Sequence, residues 1–244
     1  MKKFSPSIRL YYNFLLREGI DIIIEGQQTH YLKNVMRLNV GSRFFVFNGK
    51  DGEFGAEIIN LKTNKIFCKC IEKTKNQTVE PDLWLLFSVV KKERIYFIIE
   101  KGTELGVTKF FPILTNRTQM KSINYEKLKS YCIESSEQTE RLSIPKIRPL
   151  EKLKTLLLNW PNDRLILFCD ENGAPPIMDV IYKISVPIAI LIGPEGGFSD
   201  DERNFLTNLD FVLSVSLGPR VLRSDTAAIS ALSCFQSIKG DWRF

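Results

Sequence analysis

The sequence of 244 residues contains one histidine, His30, and no long apolar run. With a single histidine, a His-centred catalytic site is not expected. A membrane helix needs about 20 consecutive apolar residues. The longest apolar stretches, such as residues 186–192, are broken by Pro187 and then by glycines. The N-terminal Met1-Lys2-Lys3-Phe4-Ser5-Pro6 is basic, but no apolar core with a small-residue cleavage site follows it. The sequence therefore predicts a cytoplasmic protein that carries no signal peptide and makes no membrane association. The five cysteines, Cys68, Cys70, Cys132, Cys169 and Cys234, are odd in number and scattered, which reads as reduced thiols. Cys68 and Cys70 are the only close pair, and C-x-C in a strand does not match zinc spacing, so no metal is expected. Nor is there a G-x-x-x-x-G-K-[ST] phosphate loop.

What is present is unevenly charged. The net charge is +6. Residues 1–80 hold thirteen Lys and Arg against eight Asp and Glu, whereas the remaining residues hold twenty-one against twenty. A basic front on a nearly neutral body suits an accessory surface for a polyanion. Hydrophobic residues at 44% and charged residues at 25% are ordinary for a globular protein.

Two rhythms divide the chain. Between residues 20 and 71, short segments rich in β-branched and aromatic residues (21–24, 43–47, 56–59 and 65–71) read as strands. Asn48-Gly49-Lys50-Asp51-Gly52 supplies a tight turn between two of them. This predicts a small β-barrel, interrupted by one helix near 27–36. Residues 73–81 are polar, aperiodic and end at Pro81, and mark a boundary between domains at 1–72 and 81–244. Beyond it, apolar strands at 83–90, 110–114, 164–169, 186–192 and 211–217 alternate with helical patterns at 91–105 and 124–140 and after the last two strands. Strands alternating with helices predict an α/β domain with a mainly parallel sheet covered on both faces.

Ligands of such sheets bind beyond the carboxyl ends of the strands. Two loops lie there. The first, Ile192-Gly193-Pro194-Glu195-Gly196-Gly197, has glycines that let backbone amides approach a bound molecule. It contains Glu195 and is followed by Ser199-Asp200-Asp201-Glu202, which reads as a capping box. Four carboxylates at a helix N-terminus disfavour phosphate, so ATP and NAD fit poorly. A neutral or cationic ligand such as S-adenosylmethionine fits better. The second loop, Leu217-Gly218-Pro219-Arg220-Val221-Leu222-Arg223, sets two arginines around apolar residues. Ser224-Asp225-Thr226 reads as the cap of a helix over 227–238. The candidate cofactor-binding residues are Leu191, Ile192, Gly193, Glu195, Gly196 and Gly197 from the first loop. From the second they are Leu217, Gly218, Arg220, Val221, Leu222 and Thr226.

Leu191-Ile192-Gly193-Pro194-Glu195-Gly196-Gly197-Phe198-Ser199 and Leu217-Gly218-Pro219-Arg220-Val221-Leu222-Arg223-Ser224-Asp225-Thr226-Ala227 resemble the paired signatures of the RsmE family. These are small-subunit ribosomal RNA uridine N3-methyltransferases of the SPOUT superfamily. Further matches follow the family's order at His30-Tyr31-Leu32-Lys33-Asn34-Val35-Met36-Arg37, at Lys101-Gly102-Thr103-Glu104-Leu105-Gly106-Val107 and at Glu137-Gln138-Thr139-Glu140-Arg141. The resemblance implies a PUA-like N-terminal barrel, a C-terminal α/β domain with a deep trefoil knot, S-adenosylmethionine as cofactor, 16S ribosomal RNA in the small subunit as partner, and a homodimer. The sequence departs from the family at Asp225, where Glu is usual, and at Met36, where Leu is usual.

Methylating uracil N3 requires positioning of the ring and removal of its proton. Glu104, Glu195 and Asp225 are candidate acceptors; each also has a plain structural use, respectively at a helix end, on the cofactor's polar groups and as a cap. Arg117 is a candidate to stabilise charge on the uracil carbonyls. For RNA contact the candidates are Arg9, His30, Lys33, Arg37, Arg43 and Arg223, with Lys33 and Arg37 sharing a face if 27–36 is helical. Two other readings remain: a non-catalytic RNA-binding or ribosome-assembly dimer, and a nucleotide-dependent enzyme on a conventional doubly wound sheet. A thermal-shift comparison of S-adenosylmethionine, S-adenosylhomocysteine, ATP and NAD separates all three.

Overall fold

The protein is described from a computed structural model, which covers residues 8–118, 120–170 and 172–243. The basic N-terminal segment Met1-Lys2-Lys3-Phe4-Ser5-Pro6 lies outside the described residues. The chain forms two compact units: Met1–Val79 with Ser136–Ile144, and Glu80–Ser135 with Pro145–Phe244. The return of Ser136–Ile144 to the first unit leaves no mark in the sequence pattern.

In the first unit, β1 (Arg9–Tyr11) and β2 (Asp21–Glu25) precede α1 (Gln27–His30), which runs on as a π-helical turn, Tyr31–Val35. Then come β3 (Arg43–Phe47), β4 (Glu53–Leu61) and β5 (Lys65–Lys75). The strand order is β1-β3-β4-β5-β2, and register shifts between β4 and β5 curl the sheet. Alternation does the burying: Ile22, Ile24, Phe44, Val46, Ile66, Cys68 and Cys70 face one core. The strand expected to end at 71 continues to Lys75, because Lys73 and Lys75 pair with Phe54 and Glu53. Arg37 has a left-handed backbone, φ 53°. It lies past the helical turn, so the expected shared face with Lys33 does not exist.

Arg9 is the main correction here. It is 7% exposed. Its Nε donates to Glu53 Oε2 at 2.7 Å, and its terminal nitrogens donate to the carbonyls of Ser136, Glu137 and Arg141. Glu53 is 1% exposed, and its other oxygen accepts from Thr74. A guanidinium satisfied in this way is a staple for the returning segment and has no face for RNA.

The second unit contains β6 (Leu83–Ser88), α2 (Lys92–Glu104), β7 (Val107–Leu114), α3 (Tyr125–Gln138, whose last three residues count with the first unit), β8 (Lys146–Ile147), β9 (Glu151–Lys152) and α4 (Leu153–Leu158). It continues through β10 (Leu165–Cys169), α5 (Ile177–Lys183), β11 (Ile188–Ile192), α6 (Asp200–Thr207), β12 (Val212–Val215) and α7 (Ser224–Ile238). The sheet order is β12-β10-β11-β6-β7-β8, with β9 also on β7. Every pairing is parallel. The mixed α/β class and the parallel sheet are as expected. Central strands are almost wholly apolar, as both faces are covered: all six residues of β6, of which only Ser88 is polar, and all five of β11 are buried. Among the described residues no helix is long and apolar enough to cross a membrane.

Candidate functional site

Strand order decides where the two glycine loops meet. β11 and β12 are not neighbours, because β10 lies between them. The three carboxyl ends together border a cleft of about 700 Å3, open to solvent. Its floor is Phe168, Cys169 and Asp170 from the end of β10. Its walls are residues of the loops after β11 and β12. Of the expected cofactor residues, Ile192, Gly193, Glu195 and Gly197 line one wall, and Leu217, Gly218, Arg220, Val221 and Leu222 the other. Leu191, Gly196 and Thr226 do not line it. Leu191 is wholly buried in the core, Gly196 turns its carbonyl to Arg117, and Thr226 is exposed on the helix beyond.

The glycines have separate reasons. A Cβ on Gly193 would lie 2.5 Å from the Phe198 ring, so a side chain there displaces the ring. Gly197 and Gly218 have positive φ, 69° and 106°. The capping box is present: Ser199 accepts from the Glu202 backbone N–H, and the Glu202 carboxylate accepts from that of Ser199.

The expected repulsion of phosphate by four carboxylates is revised by the pairing. Glu195 is ion-paired with Arg94 from the start of α2. Glu202 is buried and accepts from the Asn116 N–H. The floor carboxylate Asp170, absent from the sequence candidates, pairs with Arg203 Nη1 at 2.7 Å. Asp200 and Asp201 remain exposed on the outer turn. Burial, with the neighbouring Cys234 thiol second, pushes the Cys169 thiol up to about 12, so it presents a neutral surface to the cleft. Ser224 was missed except as a cap. Its hydroxyl is buried, lines the cleft and has no hydrogen-bond partner among the described residues.

The catalytic candidates separate. Arg117, in the loop after β7, donates from Nη1 to the Gly196 carbonyl at 2.6 Å. Glu104 ends α2, which begins beyond the carboxyl end of β6 and returns the chain to the amino edge of the sheet. At about 1.5 Å rise per residue, such a helix carries its end roughly 20 Å away from the cleft edge. There Glu104 holds Lys101 at 2.8 Å. The structure thus removes Glu104 from the site formed by one chain. Asp225 lies in the first turn of α7, between Ser224 and Thr226. It is not the cap: the cap position is Arg223, which makes no side-chain cap bond, and Asp225 accepts from the adjacent Thr226 N–H. Helix α7 begins at Ser224, not at 227.

Among the RNA candidates, His30, Lys33, Arg37 and Arg223 are exposed, and Arg43 pairs with Glu57 at 2.7 Å. Among the described residues no group of three His, Cys, Asp or Glu could hold a metal ion.

A parallel α/β sheet with a cleft over three adjacent strand ends, beside an arginine-bearing loop, places the chain among the α/β proteins that bind a ligand at the carboxyl edge of the sheet. The RNA methyltransferase domain family matches residues 78–236, and the RNA methyltransferase PUA domain matches residues 24–71. The ribosomal RNA small subunit methyltransferase E of Rickettsia conorii is 34% identical, over 92% of this chain and 93% of its own. That of Buchnera aphidicola from Schizaphis graminum is 32% identical over 99% of both. A solved Legionella pneumophila structure, described as a methyltransferase in complex with bound SAM, aligns with TM-score 0.88 and 31% identity. It covers 97% of this chain and 100% of its own. The chain belongs to the ribosomal RNA small subunit methyltransferase E family.

Proposed function

We propose that the protein transfers the methyl group of S-adenosylmethionine to N3 of a uridine in 16S ribosomal RNA, as part of cytoplasmic small-subunit maturation. The observation that carries this reading is the cleft over β10, β11 and β12, with Ser224 Oγ buried in its wall and lacking a partner among the described residues. A buried hydroxyl without a partner calls for one, and a polar group of the ligand can supply it. The apolar Phe168, Val221 and Leu222 of the lining would pack against an adenine, and the glycine loop would offer backbone hydrogen bonds to its polar edge.

The cofactor, when bound, supplies an electrophilic methyl group. The chain's part is to exclude water, hold the ring in line and manage charge. Arg117, set against the glycine loop, stabilises negative charge on the uracil carbonyl oxygens. With Glu104 at the far edge and Glu195 held by Arg94, Asp225 takes the N3 proton. The exposed His30, Lys33, Arg37 and Arg223 contact RNA phosphates, with residues 1–72 as the RNA-binding domain and 81–244 as the catalytic one. The reading includes the trefoil knot of the family and a homodimer. Val221, 78% exposed at the rim of the cleft, is an apolar side chain that a second copy would cover. Sedimentation equilibrium tests the dimer; a monomer at micromolar concentration removes it.

A thermal-shift comparison tests the ligand. S-adenosylmethionine and S-adenosylhomocysteine should raise the melting temperature, because a ligand bound only to the native state stabilises it, whereas ATP and NAD should not. Mass spectrometry of 16S RNA from a deletion strain tests the target. Unchanged uridine N3 methylation would reject it.

A further inference from the structure

Helix-capping carboxylates normally serve their own helix. Glu202 serves a second loop as well. It is 3% exposed. Its Oε2 accepts from the Ser199 N–H at 3.0 Å and the Ser199 hydroxyl at 3.2 Å, which completes the capping box. Its Oε1 accepts from the backbone N–H of Asn116 at 2.7 Å, eighty-six residues away in the chain. The Asn116 side chain returns to the same place, donating from Nδ2 to Ser199 Oγ at 2.8 Å. On the other side of Arg117, Thr118 Oγ1 accepts from the Thr115 N–H at 2.9 Å and lies 2.8 Å from the buried Ser88 hydroxyl at the end of β6. Residues 115–118 are thus gripped at both ends, with Arg117 between the grips and its guanidinium on Gly196.

We propose that Glu202 is a positioning residue for Arg117, coupling the cofactor-side glycine loop to the loop that faces the acceptor base. The proposal rests on the assignment of Arg117 to the reaction. Arg117 is exposed, and a free arginine loses considerable rotamer freedom when it is aimed. Anchoring its backbone to the helix that follows the glycine loop removes much of that loss before substrate arrives. Glutamine at 202 keeps the size and one acceptor but turns an NH2 toward one of the two donors, so the grip on Asn116 or on Ser199 is lost.

The test is a double-mutant cycle on the full chain with Arg117→Ala, Glu202→Gln and the pair. It reads single-turnover methylation at saturating S-adenosylmethionine and cofactor affinity by calorimetry. Glu202→Gln alone should slow turnover about tenfold or more while cofactor affinity stays within about threefold, and it should add nothing in the Arg117→Ala background. An equal slowing in both backgrounds overturns the proposal. So does a loss of cofactor affinity that accounts for the lost turnover, since Glu202 would then support only the glycine loop. Wild-type turnover in Arg117→Ala overturns the assignment of Arg117 itself, and this proposal with it. If Glu202→Gln melts below the assay temperature, Glu202→Asp replaces it. Its shorter carboxylate cannot reach both the Ser199 and the Asn116 backbone N–H, so it should also slow turnover without adding to Arg117→Ala. Unchanged turnover there rejects the coupling.

Discussion

Arg117 Nη1 lies 2.6 Å from the carbonyl oxygen of Gly196, joining the loop after β7 to the glycine loop after β11. The bond uses one end of the guanidinium and leaves the other donors available for an acceptor base. If those donors stabilise charge that develops only in the transition state, Arg117→Ala should lower kcat about a hundredfold with little change in cofactor affinity. Arg117→Lys should recover only part of this, because an ammonium lacks the planar fork. Near-normal turnover of the alanine variant at saturating cofactor would take Arg117 out of the mechanism.

Ser224 makes opposite predictions for the free and bound protein. Its buried hydroxyl has no partner among the described residues. Ser224→Ala should therefore leave the apo protein equally or more stable, while weakening S-adenosylmethionine by about fivefold, the equivalent of the roughly 1 kcal/mol of an ordinary hydrogen bond. Calorimetry beside an apo melting curve checks both halves. Unaltered affinity would mean that the hydroxyl faces no ligand group.

Arg9 and Lys33 are both basic residues of the first unit, but they should fail differently. Arg9→Ala leaves Glu53 buried without its guanidinium and should cost about 3–5 kcal/mol in a denaturant melt. Lys33→Ala, at an exposed position, should change stability by less than about 0.5 kcal/mol. It should instead reduce the salt slope of RNA binding by roughly one. A stability loss for Lys33→Ala with no change in slope would reject it as a phosphate contact.

The first unit should also show two pH limbs. The Leu16 N–H, followed by the Asn48 amide, holds the Asp51 carboxyl below its ordinary 3.8. A depressed folded value means that the stabilisation is present above about pH 4 and is lost as pH falls through the folded value. Asp51→Asn should flatten that acid limb. On the alkaline side, burial and then the neighbouring Cys70 push Cys68 from 9.0 up to about 12. The folded state holds that proton more tightly, so stability is full below pH 9.0 and falls as pH rises toward about 12. Cys68→Ala should flatten the decline measured by urea melts across this window, beneath whatever cavity cost it adds at neutral pH.

Much of this protein is written locally. The period-two pattern of residues 21–24 and 43–47 and the uninterrupted apolar run of β11 produced strands where expected, because side-chain alternation and double-faced burial are properties of short segments. The Ser199–Glu202 capping box and the two glycine loops are likewise short-range, since three or four residues contain the whole hydrogen-bond logic. Arg9 counted as surface charge in the sequence because nothing near it announces Glu53, forty-four residues on. The floor of the cleft was unread because only the sheet order inserts β10 between β11 and β12. Glu202 was legible as a cap and illegible as a grip on Asn116. The sequence by itself determined the elements, their loops and the chemical character of each loop. Tertiary structure alone decided which loops are neighbours and which charges are consumed by partners. Strand order and long-range ion pairs arise from packing among distant segments, and no local periodicity encodes them.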